Sequence, residues 1–143
     1  MVPSKQKGGN MVTYKELLSG HVINDLSIKQ QQNLEELLKR LNMLRVAYGQ
    51  PFVVTSGFRS EQDHRRIYSA KGIFGAAVPM GSAHLQGLAA DIADDGRLKL
   101  WLTTDPKGIT LLEQAELYCE SGTKGWLHFQ YRKPRTGNRW FLP

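Results

Sequence analysis

Ser82-Ala83-His84-Leu85-Gln86-Gly87-Leu88-Ala89-Ala90-Asp91 sets an imidazole and a carboxylate seven residues apart. On a helix that spacing would be about two turns along one face. Gly87 and the small residues around it argue against a helix. A loop edge carrying His84, a glycine that permits close backbone approach, and a strand projecting Asp91 fit better. Ala89 and Ala90 leave space for a metal and for the core. A carboxylate among apolar neighbours is unfavourable unless it is paired or metal-bound.

A second imidazole follows in Trp126-Leu127-His128-Phe129-Gln130-Tyr131, which reads as a strand. Alternation puts Trp126, His128 and Gln130 on one face and Leu127 and Phe129 on the other. Two imidazoles and a carboxylate suit zinc. In catalytic sites zinc takes three protein ligands and leaves a fourth position for water, whose pKa it lowers to roughly 7.

The SxHxxGxAxD run and the Trp-x-His strand follow a third segment, Thr55-Ser56-Gly57-Phe58-Arg59-Ser60, and the three span Val53 to about Gln130. In this order they resemble the zinc D-Ala-D-Ala peptidase family. That family includes cell-wall carboxypeptidases, dipeptidases and phage endolysins, and shares its fold with the Hedgehog signalling domain. The resemblance implies Zn2+ held by His84, Asp91 and His128, and a substrate-binding, catalytic role for Arg59 with Ser82 beside it. A guanidinium suits a terminal carboxylate, through two parallel hydrogen bonds.

One position departs from the family. Many members carry Glu or Asp three residues before the last His as general base, and here that position is Gly125, preceded by Lys124. Glu120 is the first candidate to replace it, read as the end of a helix that Gly122 and Gly125 let fold back toward the metal. Glu116 is the second. His64 is expected to be exposed, His21 receives no role, and Asp94 and Asp95 read as turn residues. Cys119, the only cysteine, excludes an intrachain disulfide and is expected to pack on a helix.

Around these residues the pattern predicts an α+β fold, with a small, mainly antiparallel sheet carrying the zinc site and helices packed around it. Ser27 caps a helix to about Tyr48, stopped by Gly49, with Leu34, Leu37, Leu38, Leu41 and Leu44 as its core stripe. Phe52 to Thr55 reads as a strand, Glu61 to Ala70 as a helix capped by Ser60, and residues 71–83 as a loop walling the cleft. Gly87 to Ala93 reads as a strand, Arg97 to Leu102 as a helix, and Thr110 as the cap of a helix to Glu120. The apolar end of the tail, Trp140 to Pro143, predicts an edge strand or packed segment.

At 143 residues one domain is expected, over residues 13–143 behind a flexible arm at 1–12. No apolar run approaches the ~20 residues that span a bilayer. The net charge of +6 favours polyanionic partners such as wall polymers. The basic residues are too scattered for a specific nucleic-acid motif. The expectation is a monomer that cleaves a peptide bond in peptidoglycan stem peptides, as a phage or prophage lysis enzyme of carboxypeptidase or endopeptidase type. The first residues show no signal peptide. The enzyme would stay in the host cytoplasm until release, or travel with the virion. Gly125 keeps open an alternative, a catalytically silent, zinc-stabilised wall-binding or virion module.

Overall fold

The computed structural model describes residues 11–143. Of the arm expected over 1–12, residues 1–10 lie outside the described residues. Val12 is buried, and its backbone N–H and C=O both pair with the Asn42 amide, at 2.9 and 3.0 Å.

A five-residue helix, α1 (Tyr14–Leu18), leads into the long helix α2 (Ile28–Tyr48). Ser27 and Gln30 form a reciprocal cap at the start of α2, and Gly49 ends it with φ +80°. Leu34, Leu37, Leu41 and Leu44 are fully buried along one face. Each contributes roughly 1.5–3 kcal/mol by leaving water.

After β1 (Val54–Ser56) and α3 (Glu61–Ser69) come β2 (Ala89–Ala93), α4 (Arg97–Thr104) and α5 (Pro106–Gln114). β3 (Tyr118–Glu120), β4 (Trp126–Gln130) and β5 (Trp140–Phe141) complete a five-stranded sheet. The fold is α+β. The strand order is β1-β2-β4-β3-β5, and every pairing is antiparallel except β3 with β5. One face of the sheet, with Ala90, Ile92, Leu127 and Phe129, joins the leucines of α2 in the core. The other face is free to carry polar side chains.

Three expectations change. The helix expected from Thr110 to Glu120 instead begins at Pro106 and ends at Gln114. Asp105 caps it by accepting from the Lys107 N–H at 2.9 Å, and proline at the first helical position needs no hydrogen-bond acceptor. The chain turns at Glu116, φ +55°, and enters β3, so Glu120 and Cys119 lie on a strand rather than a helix. His64, expected to be exposed, is fully buried.

Candidate metal centre

Strand register assembles the polar face. Ser56 pairs with Asp91, and Asp91 with His128. β3 pairs Tyr118 with Gln130 and Cys119 with Phe129; one residue further, this register sets Glu120 beside His128. Glu120 in turn pairs with Phe141. A row across the strands therefore reads Ser56, Asp91, His128, Glu120, Phe141, with the β1 register shifted between Val54 and Ser56 and the last pairing parallel. Directly paired residues of antiparallel strands share a face. The Phe141 ring stands edge-on to His128 at 6.2 Å between centroids.

His84 arrives from a 3-10 turn, Ala83–Gln86, just before β2. Three contacts fix that turn to α2. The Gln30 amide donates to the Leu85 carbonyl at 2.9 Å, and the Asn33 amide donates to the Gln86 carbonyl at 2.9 Å. Gly87, at φ +74°, lies so close to α2 that a Cβ there would meet the Gln30 carbonyl oxygen at 2.8 Å. Ser82 Oγ accepts from the His84 N–H at 3.2 Å, so Ser82 caps the turn with its oxygen and keeps its hydroxyl proton to donate elsewhere.

His84, Asp91 and His128 offer ligand atoms that all lie within 4.8 Å of one another. His84 Nε2 is 3.3 Å from Asp91 Oδ1, and His128 Nδ1 is 3.0 Å from the same oxygen. The outer nitrogens fix the tautomers. His84 Nδ1 donates to the Gly57 carbonyl at 2.8 Å. Gln130 donates through its amide nitrogen to the Arg132 carbonyl at 2.7 Å, so its Oε1 faces His128 and accepts from Nε2 at 2.7 Å. Both imidazoles therefore turn a lone pair toward one carboxylate oxygen.

Three acceptors facing one another repel unless a proton or a cation stands between them. Donors about 2.0–2.1 Å from a tetrahedral zinc stand about 3.3–3.4 Å apart, close to the spacing here. The outer bonds to Gly57 and Gln130 are the kind that orient zinc-binding imidazoles. The donor set and its supports thus fit zinc.

Electrostatics agrees. Burial pushes the Asp91 carboxyl up, but the hydrogen bonds and charges of His128 and His84 outweigh it and hold it at about 2. Burial pulls His128 down. The Asp91 bond and charge, the Gln130 bond and the Glu120 charge reverse that, leaving its pKa above the ordinary value. A proton therefore competes for the place a cation would take.

Arg59 lies beside this centre. Its backbone N–H donates to the His84 carbonyl at 3.1 Å. Burial lowers its pKa, and the nearby Asp91 charge raises it. Its Nη1 meets His64 Nδ1 at 3.1 Å, and its Nε is a buried donor with no partner among the described residues. Glu116, by contrast, is exposed at the turn after α5 and pairs with Arg40 at 3.2 Å. Asp94 closes the start of α4, accepting from Leu98 and Lys99 N–H at 2.9 and 3.1 Å.

A family model described as Peptidase M15 matches residues 10–104, about two thirds of the chain. The chain belongs to the peptidase M15 family. At the level of the family this is a zinc peptidase acting on peptidoglycan. The matched stretch contains Arg59, Ser82, His84 and Asp91 and stops before Glu120 and His128; strand pairing, rather than the match, joins those two to the site. No curated protein and no solved structure matches the chain.

Sequence reasoning missed two residues at the site. Gln130 was placed only on the His128 face, although an amide two residues along a strand from a ligand is a readable signal. His64 reads from the sequence as an exposed helix residue, and the structure buries it.

Proposed function

We propose that this peptidase M15 chain hydrolyses a peptide bond in peptidoglycan stem peptides, with Zn2+ bound by His84, Asp91 and His128. The convergence of two imidazole lone pairs on Asp91 Oδ1, each ring held from behind, carries the reading. When bound, zinc supplies a Lewis acid for the scissile carbonyl and lowers the pKa of the attacking water.

Glu120 takes the base role that position 125 lacks. Its place beside His128 in the row and its charge on that ring support this, although it reaches the site from a strand. A carboxylate there accepts the water proton and returns it to the leaving amine. Arg59 orients the substrate. With Nη1 taken by His64, the Nε–Nη2 edge remains for a carboxylate, which would satisfy the orphaned Nε. Ser82 donates to the same carboxylate or to a peptide carbonyl.

The proposal extends to a phage or prophage lysis enzyme, held in the host cytoplasm until release or carried by the virion. The charge of +6, complementary to anionic wall polymers, supports it. Gly125 favours a second reading, a silent wall-binding module. Purified peptidoglycan incubated with the zinc-loaded protein, followed by mass spectrometry of the muropeptides, separates the two. New peptide termini at one bond type support the peptidase. Zinc binding and wall binding without any cleaved bond, on walls from several hosts, would establish the module.

A further inference from the structure

We propose that His64 is a positioning residue for Arg59, one imidazole that sets the orientation of the guanidinium and ties it to the loop over residues 71–83. This rests on the reading of Arg59 as the substrate clamp. His64 points inward from the first turn of α3 and is fully buried. Its Nε2 lies 2.7 Å from the Pro79 carbonyl, an acceptor only, so Nε2 carries the proton. Its Nδ1 therefore presents a lone pair, and Arg59 Nη1, a donor only, approaches it at 3.1 Å. Tyr68, one turn further along α3, packs on the ring with centroids 4.9 Å apart.

The consequence is geometric. A guanidinium offers donors on two edges and rotates easily about its long stem. Binding Nη1 to a buried acceptor removes that freedom and leaves the Nε–Nη2 edge for the substrate. The same ring holds Pro79, while Arg132 Nη2 donates to the Gly81 carbonyl at 2.7 Å and Arg65 Nη1 to the Gly75 carbonyl at 3.2 Å. The loop is thus held at three carbonyls, and only the His64 anchor also touches the clamp. A leucine of similar size would fill the space but hold neither partner.

Kinetics on muropeptides for the wild type, His64→Leu, Arg59→Met and the double variant test this, with zinc content and melting temperature measured on each. His64→Leu should lower kcat/KM about tenfold to a hundredfold, mainly through KM, with zinc retained. The double variant should be no worse than Arg59→Met alone, because both changes break one unit. His64→Asn, which keeps an acceptor and a donor on one planar group, should recover part of the loss. Losses that multiply in the double variant, or a His64→Leu protein within about twofold of wild type, would overturn the proposal. If His64→Leu does not fold, nitrogen NMR of the wild type and Arg59→Met takes its place. A protonated Nε2, with a bare Nδ1 whose signal moves in Arg59→Met, supports the clamp. A proton on Nδ1, or an unmoved signal, refutes it. A wild type that cleaves no muropeptide would end the peptidase reading alone, and the same spectra would still decide whether His64 holds Arg59.

Discussion

The two sides of the candidate site are built by different means. On one side, β2 and β4 place Asp91 and His128 through backbone pairing, so these two follow from register. On the other, the segment from Gly75 to Gln86 has little regular structure. It is held by side chains that reach its carbonyls from α2, α3 and the end of β4. Register fails as a unit, since a slip of one residue turns every side chain to the other face. Side-chain anchors can be removed singly. The pairing of β2 with β4 should therefore respond to mutation in an all-or-none manner, and the anchors of the loop, which also carries His84, in degrees.

The largest expected effect removes the proposed ligand that the loop side contributes. His84→Ala should abolish stoichiometric zinc binding and activity, read by metal analysis. At free zinc a thousandfold above its Kd, the wild type gains about 4 kcal/mol of stability, and the variant should gain almost none in melts with and without the metal. Next is Glu120→Gln, expected to lower turnover roughly 10²–10⁴-fold while zinc content stays at one per chain, because the residue is no ligand. Glu116→Gln serves as its control, and a larger loss there would move the base to the exposed turn. Smaller again is Arg59→Lys, which keeps the charge but loses the fork. A rise in KM with kcat little changed is the expected pattern, and unchanged muropeptide kinetics would return Arg59 to a structural role.

The smallest effect concerns a pair outside the proposed ligand set. His21 Nε2 bonds Asp63 at 2.6 Å, and this bond, against burial, holds the Asp63 carboxyl below its ordinary value. A depressed carboxylate stabilises the fold above its unfolded pKa, and that contribution is lost as pH falls through the folded one. The difference in melting temperature between the wild type and His21→Ala should therefore shrink between about pH 5 and pH 2.

How much of this was readable depended on distance along the chain. The leucine stripe of α2, the Gly49 stop and the alternation of β4 are local patterns, and the structure follows them. His84 and Asp91 lie in one short motif, so their meeting needed no long-range information. Asp105-Pro106 is also a local signal, but the sequence offers Thr110 as a competing cap, and β3 reads as helix because three residues carry no visible period. α1 likewise escaped: Thr13 and Glu16 form a capping box, yet five residues are too few for periodicity. His64 was illegible for another reason. Its burial depends on Arg59, Pro79 and Tyr68 arriving together, and no spacing within α3 announces that.

α1 has a consequence for how fast the site empties. A Cβ on Gly57 would strike the Leu17 carbonyl oxygen. The Phe58 N–H donates to that same oxygen at 2.7 Å, and the Gly57 N–H donates to Ser19 Oγ at 2.7 Å. Gly57 in turn holds His84 from behind. The short helix is thus a latch on a ligand it never touches, and when it frays the imidazole loses its backing. The rate at which a chelator strips zinc should then follow amide exchange at Phe58, making metal residence time a property of α1.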